Sequence, residues 1–154
     1  MLFRQATIDD LREVAGWIRS RRDCEFWAGP YMSYPLDPEM LPADVDLFTS
    51  DSMVLCQDQR LLAFGQLQEK DARNGHLARL IVNPAQRRRG YGCSLVEKLL
   101  ERAREKGYRS VTLNVDRDNQ AAQAMYARLG FRHARRPDAE YASSQSEYMI
   151  LELS

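Results

Sequence analysis

Residues 84–92 read PAQRRRGYG: three consecutive arginines, Arg87, Arg88 and Arg89, run into Gly90 and Gly92 with Tyr91 between them. The stretch admits three readings: a basic patch for nucleic acid, a solvated turn, or a loop that holds phosphate. Its flanks decide between them. Upstream, residues 76–84 (HLARLIVNP) follow the turn DARNG and read as a strand stopped by Pro84. Downstream, Leu95, Val96, Leu99, Leu100 and Ala103 recur at helical spacing, and Gly107 marks the helix end. The stretch therefore lies between a strand and a helix N-terminus, where unpaired backbone N–H groups and a partial positive charge bind anions. Glycine lets the backbone approach the anion closely, and arginine adds charge-assisted hydrogen bonds.

Other phosphate motifs fail. A Rossmann fingerprint needs Gly or Ala where Leu95 stands, and a P-loop needs a Gly-Lys-Ser/Thr that the chain lacks. A formal net charge of zero, with no aromatics interleaved among the arginines and no recognition-helix context, argues against nucleic acid as a partner and leaves binding through 87–89 a distant third reading.

The 154 residues are expected to form one domain over 1–154, long enough for a core without metal or disulfides. An apolar fraction of 44% and a charged fraction of 29% are those of a globular chain. Charge is unevenly placed. Six acidic residues and no Lys or Arg lie between Asp37 and Gln59, while residues 85–110 hold eight basic residues against three glutamates. If the acidic stretch borders a binding site, it favours a cationic ligand. Cys24, Cys56 and Cys93 are odd in number and lack CxxC spacing, which predicts a reducing compartment, no disulfide framework and no metal site. No signal-peptide pattern opens the chain and no apolar run reaches bilayer length, so a cytoplasmic location without membrane contact is expected.

Along the rest of the chain, LFRQA reads as a first strand, and Thr7 with Asp10 reads as a capping box before a helix carrying Leu11, Val14, Ala15 and Ile18. A short aromatic helix breaks at Gly29 and Pro30, and Asp37–Pro38 reads as the N-cap and first position of another helical piece. SMVLCQ and LLAFGQLQ flank the turn DQR as a hairpin. SVTLNV is a buried strand, NQAAQAMYARLG a helix, and FRHARRP and EYMILEL close the chain as two strands. The order predicts an α/β sheet packed with helices.

Arg87-x-x-Gly90-x-Gly92 after LIVNP, followed by NQAAQAMYARLGF with Asn119, Ala122, Tyr126, Gly130 and Phe131 in place, resembles the two signatures of the GCN5-related N-acetyltransferases, the GNAT family. The resemblance covers roughly residues 76–131 and leaves the N-terminal third without a motif. It implies the GNAT fold: a mixed, mostly antiparallel sheet with splayed central strands and flanking helices. It also implies acetyl-CoA as the donor, with the pyrophosphate on Arg87, Arg88, Arg89, Gly90, Tyr91, Gly92, Cys93 and Ser94. The pantetheine arm would then run along Leu80, Ile81 and Val82 like an added strand, held by Asn114, Asn119 and Ala122. Backbone N–H groups near Leu80 and Val82 would polarise the acetyl carbonyl.

Two proton movements accompany acetyl transfer to an amine. Tyr126 matches the family's tyrosine near the CoA sulfur and can protonate the departing thiolate; otherwise it is a core tyrosine. Asn119 holds the pantetheine or caps its helix. His76 falls where some members carry a catalytic Glu, and an imidazole suits a base at neutral pH; otherwise it sits in a solvated turn. Glu69, Asp71 and Asp116 are the other candidate bases, and His133 reads as structural. Cys93 at a helix N-terminus invites a lowered thiol pKa, but direct transfer leaves it a packing role. The acceptor pocket is expected from Phe26, Trp27, Tyr31, Tyr34 and residues 140–146, taking a small-molecule or peptide amine, in a monomer or homodimer. A non-catalytic CoA-binding or protein-interaction module on the same fold is the alternative.

Overall fold

The computed structural model describes residues 1–136 and 145–154. Strand β1 (Leu2–Gln5) leads into helix α1 (Ile8–Trp17). The Thr7/Asp10 capping box is present in both halves: the Asp10 N–H donates to Thr7 Oγ1 at 3.2 Å and the Thr7 N–H to Asp10 Oδ2 at 2.8 Å. Helix α2 (Arg21–Ala28) starts at an N-cap, Ser20, and ends at Gly29. The next helix, α3 (Leu41–Asp44), starts later than Asp37–Pro38 suggested. Asp37 spends its carbonyl and carboxylate on a preceding turn, accepting from Glu39, Met40 and Leu41, so the first true helical residue follows that turn.

Strands β2 (Asp51–Gln57) and β3 (Arg60–Asp71) form the expected hairpin, with Asp58 and Gln59 both at positive φ (51° and 62°). Two positive φ values suit the twist of a two-residue hairpin loop, although neither residue is the usual glycine or asparagine. Strand β4 (Asn74–Val82) returns antiparallel to β3 and passes through a 3₁₀ turn (Pro84–Gln86) into α4 (Tyr91–Glu105). Strand β5 (Ser110–Asp116), helix α5 (Gln120–Arg128), the two-residue β6 (Arg132–His133) and β7 (Ser146–Glu152) complete the chain. FRHARRP is thus mostly not strand: β6 is an edge strand paired on one side only, to Met149 and Ile150 of β7.

The sheet order is β1-β2-β3-β4-β5-β7-β6, antiparallel throughout except for the β4–β5 pair. Alternation along β2 feeds two cores. Met53 and Leu55 join Leu95, Leu99 and Ala103 of α4 on one face, while Val54 and Cys56 join Leu11 and Val14 of α1 on the other. This is the period of two expected of a strand covered on both faces. Among the described residues no helix is long and apolar enough to cross a membrane.

Candidate active site

Strands β4 and β5 pair in parallel only from Asn74–Leu77 to Ser110–Leu113. Beyond Leu77 they separate, while β4 stays paired with β3 as far as Val82. The β5-facing edge of residues 78–82 is therefore left without a strand, and Leu80, Ile81 and Val82 remain partly exposed. Just beyond, at Arg79, the backbone takes a positive φ of 53° where the β3–β4 register slips by one residue. Such a bulge re-aims backbone groups and is common beside functional sites.

The PAQRRRGYG loop stands at the end of that open edge. The Asn83 side chain accepts from the Ala85 N–H (3.0 Å), and Gly90 adopts φ 79° and ψ 9°, the left-handed region that glycine occupies without penalty. The first bond within α4 runs from the Ser94 N–H to the Gly90 carbonyl (3.0 Å), and no side chain caps the helix. The N–H groups of Tyr91, Gly92 and Cys93 thus have no intrahelical acceptor. A Cβ on Gly92 would lie 3.3 Å from Met125 Sδ and from Val82 Cγ2, so α5 and β4 both close on the turn. Arg87, Arg88 and Arg89 are exposed and make no ion pair among the described residues. An uncapped helix start with three unengaged guanidiniums fits a pyrophosphate. Cys93 does not behave as an activated thiol: burial, and then its bond to Glu97 (3.6 Å), push its pKa up.

At the other end of the splayed strands lies a cleft of about 130 Å³, lined by Glu25, Phe26, Trp27, His76, Arg79 and Asn114 among others. His76 sits on β4 rather than in a solvated turn, and its Nδ1 lies 2.8 Å from Thr112 Oγ1 of β5, its partner in the parallel register. Although part of its surface faces the cleft, burial lowers its pKa to about 4, assisted by Lys70, Arg79 and Arg136. The ring is neutral at physiological pH and a weaker base than free imidazole. A histidine pKa depressed below 6.5 makes the folded state more stable as pH rises from about 4 to 6.5, because only the unfolded chain binds the proton there. Thermal melts should therefore show stability falling below pH 6.5, and His76→Gln should remove on the order of 2 kcal/mol of that dependence, its partial exposure discounted.

Tyr126 is buried at 6% exposure in the cluster against which Leu80 and Val82 pack, with Phe131 edge-on at 5.7 Å. Its hydroxyl makes no hydrogen bond among the described residues, and burial holds the phenol above its ordinary pKa of 10. Asn119 is the N-cap of α5, its Oδ1 accepting from the Ala122 N–H at 3.2 Å, which leaves its amide nitrogen for another partner. Asn114 lines the cleft beside His76, where Arg136 Nη2 donates to it at 2.8 Å.

The four aromatics divide. Trp27 is buried and its Nε1–H donates to the Arg79 carbonyl (3.0 Å), tying α2 to the bulge; Phe26 lies under the Arg22 guanidinium at 4.6 Å. Tyr34 packs on the α1–α2 core and Tyr31 is exposed, and neither lines the cleft. Gln145 and Ser146 do line it, while residues 140–144 lie outside the described residues. None of the acidic residues from 37 to 59 lines the cleft, and Asp51 pairs instead with Arg102 of α4 and with Lys106 at its C-cap. Asp116 is held on both oxygens by Arg22 (3.0 and 2.9 Å) and Asp71 by Asn74, which ties up two of the alternative bases. Glu69 and His133 are exposed. A larger groove of about 610 Å³ runs along α4 beside Phe3 and Met53, but no residue of β4 or β5 lines it.

Two participants escaped the sequence. Thr112 is fully covered and orients His76, which depends on a parallel pairing that no local pattern announces. Arg22 reaches 94 residues along the chain to Asp116 and closes α2 onto the cleft mouth.

Comparison with known proteins agrees with this fold. The chain is 39% identical over 76 residues to N-alpha-acetyltransferase MAK3 of Arabidopsis thaliana, covering 49% of this chain and 40% of that protein. It is 35% identical over 65 residues to GCN5-related N-acetyltransferase 6, chloroplastic, of the same plant, covering 42% of this chain and 23% of that one. Each match thus spans less than half of the relative's length. Among solved structures, the ribosomal-protein-S18-alanine N-acetyltransferase of Escherichia coli superposes with a TM-score of 0.72 at 24% identity, covering 99% of this chain and 94% of that one. A Thermoplasma acidophilum N-acetyltransferase in complex with coenzyme A superposes at 0.73 and 18% identity, covering 99% and 98%. The model of the Acetyltransferase (GNAT) family matches residues 13–131, the span that holds the splayed strands, the uncapped helix and Tyr126; the chain belongs to that family.

Proposed function

We propose that this protein is an acetyl-CoA-dependent N-acetyltransferase that transfers acetyl directly to a primary amine, acting in the cytoplasm as one domain over residues 1–154. The observation that carries the reading is the opening of β4 from β5 after Leu77, with the uncapped start of α4 beside it. Acetyl-CoA supplies the activated acyl group. Gly90, Gly92, the N–H groups of Tyr91 and Cys93, the three arginines and Ser94 hold its phosphates. Residues 80–82 offer backbone partners to the pantetheine, with Asn119 at the α5 end, and an N–H of this edge stabilises negative charge on the acetyl oxygen.

The acceptor occupies the cleft between Phe26, Trp27, His76 and Asn114. Lys70, Arg79 and Arg136, which press His76 toward its neutral form, also lower the pKa of an ammonium bound beside it. The amine is thereby favoured in its reactive, neutral form. As its nitrogen bonds to carbon it becomes strongly acidic, and His76, neutral and held by Thr112, takes the proton. Tyr126, protonated because it is buried, gives its proton to the thiolate.

A non-catalytic CoA-binding module is the competing reading, and the lack of a carboxylate base on strand β4, whose residues 74–82 include no Asp or Glu, favours it. Thiol release from acetyl-CoA, measured against a panel of amines, peptide N-termini and lysine peptides, separates the two. Release that depends on an acceptor is expected; CoA binding without release for any amine would leave only the module.

A further inference from the structure

The bulge in β4 is held from two sides. Phe64 pairs with Ile81 and Gln66 with Ala78, so Gly65 of β3 stands opposite two residues, Arg79 and Leu80. A Cβ on Gly65 would run into Leu80 Cδ2, and glycine there leaves room for the extra residue. Arg79 takes φ 53°, a conformation that a residue with a side chain keeps only where its surroundings fix it. From α2, Trp27 Nε1–H donates to the Arg79 carbonyl at 3.0 Å. From β3, Gln66 Oε1 accepts from Arg79 Nη1 at 2.8 Å, with the Val45 carbonyl a longer acceptor at 3.4 Å. Gln66 is 0% exposed. Its Nε2 donates to the Val45 carbonyl (2.7 Å) and to Ser52 Oγ (2.9 Å), and Ser52 Oγ donates on to the Leu47 carbonyl (2.8 Å). A fully covered amide on a central strand is thus engaged at both ends, and one end grips the bulge.

Backbone N–H groups of a strand alternate between its two edges, so one inserted residue exchanges the edge that each later N–H faces. Beyond Leu77 one edge of β4 is the open one. Which N–H of residues 80–82 points into the opening, and at what angle, is therefore set at Arg79. We propose that Gln66 and Arg79 are positioning residues, whose hydrogen bond fixes the bulge so that a backbone N–H of residues 80–82 meets the acetyl carbonyl of the bound donor. This rests on the acetyl-CoA reading above. Gln66 has no surface from which to touch donor or acceptor, so it acts through Arg79. The competing role is a buried polar network that adds stability and leaves the open edge unchanged.

Isotope-edited infrared spectra of carbonyl-labelled acetyl-CoA test it without any acceptor. On the wild type the thioester carbonyl band is expected at lower frequency than in free acetyl-CoA, because an aimed N–H weakens the C=O bond. Gln66→Met and Arg79→Met break the contact from either end and should lose most of that shift while still binding CoA. Gln66→Glu still accepts from Arg79 and should keep it. Ser52→Ala removes a bond of the same network but not the one to Arg79, so it should lower the melting temperature and keep the shift. With an amine acceptor, Gln66→Met should lower kcat by roughly 10- to 100-fold at a nearly unchanged KM for acetyl-CoA, the loss from misplacing an oxyanion donor. A full shift in Gln66→Met, or in Arg79→Met where the first variant fails to fold, would overturn the assignment. Loss of the shift in Ser52→Ala or Gln66→Glu would do the same. A wild type that binds acetyl-CoA with no shift would remove polarisation by this edge, and one that binds none would overturn the acetyl-CoA reading itself; either result takes this inference with it.

Discussion

Tyr126→Phe is expected to lower turnover by roughly 10²- to 10⁴-fold, the range of general acid catalysis, while the affinity for CoA changes little. The two effects separate because of where the hydroxyl sits. It makes no hydrogen bond among the described residues, so its removal breaks no structural contact, and the ring keeps its place against Phe131. The melting temperature should therefore stay close to that of the wild type. Burial raises the phenol above its ordinary pKa of 10, so the proton is present at every physiological pH, and the pH–rate profile should show no limb from Tyr126 below that value. Steady-state rates with an acceptor found by the thiol-release panel, together with calorimetry of CoA binding, make the comparison. Unchanged turnover would make Tyr126 a core tyrosine and nothing more.

Gly90→Asp should abolish CoA binding in the practical sense, weakening it by roughly a hundredfold or more if about 3 kcal/mol is lost. Two physical effects combine. The backbone at Gly90 has φ 79°, which costs a side-chain-bearing residue about 1–2 kcal/mol, although Asp tolerates that region better than most. The larger effect is electrostatic. A carboxylate at the cap of α4 offers itself to the free N–H groups and repels phosphate from the site they form. Open space surrounds the Gly90 Cα, so the fold should survive the substitution. Gly90→Ala carries the strain without the charge and should lose far less affinity. CoA binding by Gly90→Asp at wild-type strength would remove the loop from the cofactor site.

Much of this architecture was legible because its determinants are local. The apolar positions predicted for α4 from Leu95 to Ala103 are all buried, since a period of 3.6 admits one face. Thr7 and Asp10 announced a helix start that depends on nothing beyond three residues. Where local signals competed, the reading slipped. Asp37–Pro38 has the residues of a helix start, yet those groups serve a turn and α3 begins at Leu41. FRHARRP carries β-prone residues at its start, but among its described residues the strand is limited to Arg132 and His133, with one further backbone bond from the Ala134 N–H to the Tyr148 carbonyl (3.0 Å), because a strand extends only as far as its neighbour pairs with it.

The candidate site divides along the same line. By itself the sequence determined the elements of the proposed donor side: a glycine spacing, a helix that follows it and a tyrosine on the next helix are short-range features. Only the tertiary structure assembled the cleft proposed for the acceptor. It placed His76 opposite Thr112, kept the acidic residues from 37 to 59 out of the cleft lining, tied Trp27 to the Arg79 carbonyl and joined Arg22 to Asp116. These arrangements depend on which strands pair and which helix closes over them. They arise from burial of the whole chain, and no spacing along it encodes them.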